Sequence, residues 1–191
     1  MRVSREQAAE NRERIIAVAS GLFRERGFNG VGVADLMQSA GLTHGGFYGH
    51  FDSKEDLMAQ ASARALDGSR DLWRDLASEH PDRPLDAVLD HYLSSAHRDR
   101  PQHGCLLTSL GSDVARQGVD VRRTVTERFT SMIGLIESWI PGRSQAAKRR
   151  RALAAYSTMV GAMMLARMVD DPELSDEILA ASRANLPGGQ G

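Results

Sequence analysis

Apolar residues recur along this chain at helical spacing, and the alternation of a strand is nearly absent. Ile15, Ala19, Leu22 and Phe23 make the buried stripe of a helix from about Arg5 to Arg26, ended by Gly27. Val33, Leu36, Met37 and Ala40 fall at i, i+3, i+4 and i+7, the apolar face of a second helix. Gly41 follows where a left-handed C′ residue belongs, and Leu42 is a buried plug in the turn. Thr43 stands at an N-cap position before a helix of barely two turns, about His44 to His50. Phe47 and Phe51 face inward there, leaving His44, Tyr48 and Gly49 outside. Asp52 or Ser53 caps a long fourth helix to about Ser78, amphipathic through Leu57, Ala61, Ala65, Leu66, Leu72, Trp73 and Leu76. After Pro81 and Pro84 come one helix over Leu85–His97, a turn over Arg98–Pro101, and an apolar segment from Cys105 to Ala115. Long helices then span about Gly118–Ile140 and Ser144–Val169, separated by Pro141-Gly142. A last helix ends near Leu186, before a Gly-rich tail expected to be disordered. The fold class expected is all-α, with a small unit over residues 1–52 and a helical bundle over 53–191.

The pair of helices around Gly41 reads as a helix-turn-helix. A short helix with a polar and aromatic outer face suits a DNA major groove. Lys54 and the Ser53 hydroxyl follow as candidate phosphate contacts at the next helix start.

The string G-F…V-A-D-L-M…A-G-L-T-H-G-G-F-Y-G-H-F…S-K-E-D-L resembles the DNA-binding domain of the TetR family of bacterial transcriptional regulators, over roughly the first 60 residues. The resemblance implies phosphate contacts from Tyr48, His50 and Lys54, and base-edge contacts from the start of the recognition helix, Thr43, His44, Gly45 and Gly46. It implies a homodimer on a palindromic operator, most often a repressor, released by a small-molecule inducer. The fourth helix would transmit ligand binding, and the last two long helices would form the dimer interface. The sequence departs from richer members: Gly45, Gly46 and Gly49 carry no side chain to read a base, Gly32 replaces a Ser or Thr cap, and Ala34 replaces a longer polar reader. Direct readout then rests on Thr43 and His44, with Gln38 and Ser39 as further candidates. Arg2 and Arg5 form either an arm that enters the minor groove or a plain polar tail.

Composition narrows the alternatives. In 191 residues, 24 Lys and Arg stand against 25 Asp and Glu, which counts against a non-specific nucleic-acid coater but not against a local reader. The single cysteine, Cys105, excludes an intramolecular disulfide and fits a reducing compartment. The polar N-terminus lacks the core of a signal peptide, and the apolar run Met159–Val169 is short and holds Arg167. A cytoplasmic protein is expected. His44 and His50 point to different faces, and the other histidines lack ligand spacing, so no metal is expected. No cofactor motif is present.

Cys105 is the sharpest chemical feature of the second domain. It follows Gly104 at a helix start, near His103 and Arg100 in sequence. That setting lowers a thiol pKa below the ~8.5 of a free cysteine. His103 to Leu107 is also similar to a segment in an electrophile- and oxidant-responsive branch of the family, where the cysteine is a thiol sensor. The alternative is a small apolar packing residue. A ligand pocket is expected inside the bundle, among Leu66, Trp73, Leu89, Tyr92, Leu93, Cys105, Leu110, Phe129, Ile133, Met159 and Met163. Two rivals accompany the regulator reading: a co-regulator of the same fold without DNA binding, and an all-α enzyme using Cys105 as nucleophile with His97 or His103 as base.

Overall fold

A computed structural model of the chain describes residues 4–187. Among these residues the elements are nine α-helices and two 3-10 turns, with no strand. Arg2 and the end of the Gly-rich tail lie outside the described residues.

Helix α1 spans Arg5–Arg26, with the Ser4 hydroxyl accepting the Gln7 N–H at 3.1 Å. It stops at Gly27, whose φ of 77° needs a residue without a Cβ. Helix α2 spans Val33–Ser39. Gly32 offers no side-chain cap to it, and instead its own N–H is taken by Asp35 at 3.2 Å. Gly41 has φ 70°, the left-handed turn that the sequence requires. The segment His44–Gly49 is a 3-10 helix rather than an α-helix. Thr43 occupies its N-cap position through its backbone, and its side chain makes no capping bond. Three glycines in six residues give little to hold a longer α-helical ladder. Ser53, not Asp52, caps α3, Lys54–Glu79, by accepting the Asp56 N–H at 3.0 Å.

The stretch expected as one helix over Leu85–His97 is two. Helix α4 ends at Tyr92, and α5 is a single turn, Ser95–Arg98. Ser94 accounts for the break, since its hydroxyl caps the His97 N–H at 3.2 Å. A 3-10 turn, Pro101–His103, leads into α6, Leu106–Ala115, with Cys105 at its N-cap position. Helix α7 spans Val119–Trp139, α8 Gln145–Met168 and α9 Pro172–Ala184. Ser144 caps α8 as its position suggests.

Two apolar cores result. One joins Phe23, Phe28, Leu36, Met37, Phe47 and Phe51 to Leu57, Leu66, Leu106, Leu110, Val121 and Val125. It therefore crosses from the helix-turn-helix unit into the first half of α3 and the facing ends of α6 and α7. The second holds Trp73, Leu89, Tyr92, Cys105, Ile133, Tyr156, Met159 and Met163. Leu72, placed on the buried face of α3 by its spacing, is instead 41% exposed. It sits one position from Trp73, which fills the inward site. The buried carboxylate of Glu137 accepts from Gln145 and Arg149, tying the end of α7 to the start of α8.

Exposed apolar side chains concentrate on α8, at Leu153, Met164, Leu165 and Met168, with Leu174 on α9. Ala162, close to that stripe, is buried in the core, while Gly161 has open space where a Cβ would stand. None of the described helices is long and apolar enough to cross a membrane.

Candidate nucleic-acid interface and thiol node

Packing determines what the helix-turn-helix can present. Phe47 and Phe51 are buried with ring centroids 5.5 Å apart, and Tyr48 lies edge-on to Phe47 at 5.2 Å while 73% exposed. The buried rings therefore fix an outward tyrosine. Thr43, His44, Gly45 and Gly49 are exposed beside it, Gln38 and Ser39 are exposed at the end of α2, and Gly46 is half-buried against Met37. His50 lends its backbone carbonyl to Arg12, whose guanidinium stacks 5.1 Å from the Phe51 ring. Arg5 is the first residue of α1 rather than part of an extended arm.

Lys54 is placed differently from a free surface lysine. Its ammonium donates to the Phe28 carbonyl at 2.7 Å, and burial holds its pKa below the ordinary value. The Phe28 N–H in turn donates to Asp113 of α6 at 3.2 Å. One residue of the α1–α2 loop is thus held from both sides by groups outside the helix-turn-helix.

Around Cys105 the structure assembles a hydrogen-bonded node. The thiol is buried, with its sulfur 3.9 Å from the Tyr156 hydroxyl. Trp73 lies edge-on to both Tyr92 and Tyr156, and Phe129 packs on Tyr156. The Tyr92 hydroxyl is buried without a hydrogen-bond partner among the described residues. The Cys105 N–H donates to His97 Nε2 at 2.9 Å, so that nitrogen is an acceptor. The proton then sits on Nδ1, which donates to the Tyr92 carbonyl at 2.7 Å. His97 is fixed as one neutral tautomer. Burial, with Arg167 and His91 adding to it, pushes its pKa down to about 4 against the opposing Tyr92 bond.

Two arginines close the node. Arg167 of α8 donates to the carbonyls of His97 and Arg98 and to Thr108 and Ser109. Arg24 of α1 donates to the Gly104 carbonyl at 2.8 Å. Neither has a carboxylate partner among the described residues. Gly104 is required sterically: a Cβ there would lie 2.7 Å from both Arg167 Nη2 and His97 Nε2.

Of the candidate pocket residues, the structure brings Trp73, Tyr92 and Cys105 together on one small cavity of about 30 Å³. Leu66 and Leu110 belong to the first core, and Leu89, Leu93, Ile133, Met159 and Met163 are packed in the second, with Phe129 half-buried beside them. Arg100 and His103 do not bond the thiol; the groups around Cys105 are His97, Tyr156, Arg24 and Arg167. Both His97 ring nitrogens are engaged by backbone, so neither holds the Cys105 thiol as a base would. Sequence spacing could not nominate Arg24, since 80 residues separate it from Gly104.

Residues 15–61 match the family of bacterial regulatory proteins, tetR family. The transcriptional repressor BepR of Brucella suis is 34% identical over 175 residues, covering 88% of this chain and 81% of that protein. The repressors DhaR of a Mycobacterium species and NemR of Escherichia coli are each 26% identical over 131 residues. The chain covers 61% of the length of DhaR and 65% of that of NemR. A crystal structure of the reduced form of E. coli NemR has a TM-score of 0.76 at 22% identity, covering 92% of this chain and 95% of that one. A TetR regulator from Chloroflexus aurantiacus has a TM-score of 0.76 at 25% identity, covering 94% and 95%. The chain belongs to the TetR family of bacterial regulatory proteins.

Proposed function

We propose that this protein is a ligand-responsive transcriptional regulator, a repressor that leaves a palindromic operator when an effector binds. The observation that carries the reading is the exposed set Thr43, His44, Gly45 and Tyr48 held on the buried pair Phe47 and Phe51. Tyr48, His50 and Lys54 are assigned to phosphates, and Thr43 and His44 to base edges, with Gly45 and Gly46 allowing close backbone approach. Two copies supply two such heads, and a palindrome mirrors their symmetry. The exposed stripe Leu153, Met164, Leu165 and Met168 supports α8, with α9, as the seam between copies.

The effector is assigned to the node at Cys105, which touches the head through two links: Arg24 to Gly104, and Asp113 of the same α6 to Phe28. An effector that favours an α6 position incompatible with those bonds shifts the head away from its DNA-bound arrangement. Cys105 as a thiol sensor belongs to this reading. Alkylation would add bulk among Trp73, Tyr92 and Tyr156, where there is little room.

The test is a titration of full chain against duplexes from the DNA flanking its gene. The reading requires saturable, sequence-selective binding, lost on treatment with an electrophile and retained by Cys105→Ser. Binding that survives complete modification of Cys105 would remove the sensor and leave a non-covalent effector. The absence of sequence-selective binding would favour the co-regulator.

A further inference from the structure

A groove of about 420 Å³ lies between α1 and α3, lined in part by Arg24, Arg64, His103, Ser20 and Leu72. It adjoins the small cavity at Cys105, with Ser69, Leu72 and His103 lining both. Among the described residues, no carboxylate lines either space. The neighbouring clefts differ: one is lined by Asp99, Asp170 and Asp171, another by Asp52, Glu55, Asp56 and Asp120, and a third by Asp67 and Glu127. Arginines line those clefts as well, so what sets this groove apart is that Arg24 and Arg64 share it with no carboxylate on its lining.

Arg24 is half-buried, and its partners among the described residues are neutral: the Ser20 and Gly104 carbonyls and, at 3.4 Å, the Ser20 hydroxyl. Its burial carries a desolvation cost that no anion offsets. Arg64 lines the same groove from α3, paired at 3.4 Å with Glu13. Beside them, Leu72 is 41% open to solvent, and nothing lies within 4 Å of where a Cβ would stand at Gly68, which lines the same groove. Cation on two walls and apolar surface on the third is the pattern of a site that orients a charged head and covers an apolar body.

We infer that this groove binds a small apolar carboxylate, its anion held between Arg24 and Arg64 and its body lying over Leu72 toward Cys105. A planar guanidinium matches a carboxylate in bidentate fashion, and charge-assisted bonds of this kind are roughly twice as strong as neutral ones. The anion therefore draws Arg24 from the Gly104 carbonyl, and the bond between the head and the start of α6 is broken in the bound state. The site stands whether or not the protein binds DNA; only this consequence rests on the regulator reading.

The experiment is calorimetric titration of the full chain, without DNA, using benzoate and its neutral isostere benzamide. Benzoate should bind saturably, and benzamide at least about tenfold more weakly, as expected when a charge-assisted bond is replaced by a neutral one. Arg24→Met and Arg64→Met should each lower benzoate affinity by about tenfold. Arg64 is exposed, so its variant decides the matter if Arg24→Met does not fold. No saturable benzoate binding up to about 10 mM, equal affinity for benzamide, or wild-type affinity in Arg64→Met would each overturn the site. Duplex binding by unliganded protein is measured separately. Its absence would sink the regulator reading and leave the site standing.

Discussion

Glycine does opposite work in two regions of this molecule. At Gly104 the space of a side chain is already filled, by His97 and Arg167 from within the chain. In the recognition strip, nothing lies within 4 Å of where a Cβ would stand at Gly45 or Gly49. The first glycine is enclosed by the chain itself and the second pair is not. Gly45 and Gly49 reduce helix preference without any internal compensation, which fits the close backbone approach to a duplex proposed for this strip. Gly161 on α8 belongs with the open group, beside the exposed stripe assigned to a second copy.

The largest expected effect comes from filling the closed position. Gly104→Ala should destabilise by about 3 kcal/mol, the upper range for overpacking, because two hydrogen-bonded groups must move. Chemical denaturation against wild type measures it, and an unchanged midpoint would mean that the node is loose.

The node should also give the stability curve an acid limb. His97 titrates at about 4 folded against 6.5 in the unfolded chain. Above pH 6.5 it is neutral in both states and contributes no slope. Between 6.5 and 4 only the unfolded state takes up the proton, so stability falls as pH falls, by at most about 3 kcal/mol. His97→Gln should flatten this limb. An equally steep limb in the variant would move its origin to other groups.

At the seam, the same substitution at adjacent residues should have different results. Gly161→Arg should give folded monomers, whereas Ala162→Arg puts a charge in the core and should yield insoluble protein. Sedimentation of a dimeric Gly161→Arg protein would place the interface elsewhere.

The smallest effects belong to the open head. Gly45→Ala and Gly49→Ala should leave the fold intact or stabilise it by up to about 1 kcal/mol, while weakening DNA binding. A loss of stability would show that these glycines are needed by the chain itself.

The head is legible in the sequence because its pattern is local. Gly27, Gly41, Phe47, Phe51 and Ser53 each act within a few residues, and each stands where its spacing puts it. Spacing alone merges α4 and α5 into one helix, because the periodicity continues through a serine that caps a new turn. It also puts Leu72 inside, because periodicity gives a stripe but not its width. The node is hidden for a stronger reason: Arg24, His97, Gly104, Tyr156 and Arg167 come from separate segments of the chain. The sequence offers Gly104, His97, Trp73 and Tyr92 as company for Cys105, but not Arg24, Tyr156 or Arg167.

The central claim is that the exposed strip reads DNA while the residues behind it position the strip. Salt-dependent titration of Lys54→Ala and His44→Ala on specific and random duplexes tests it most directly. His44→Ala should change sequence preference. Lys54→Ala should weaken every duplex alike and lower the slope of log affinity against log salt by about 0.9 for each phosphate no longer neutralised. An unchanged slope would leave Lys54 as a support for Phe28 only. Wild-type protein that showed no preference between flanking and random duplexes, at any salt, would contradict the account.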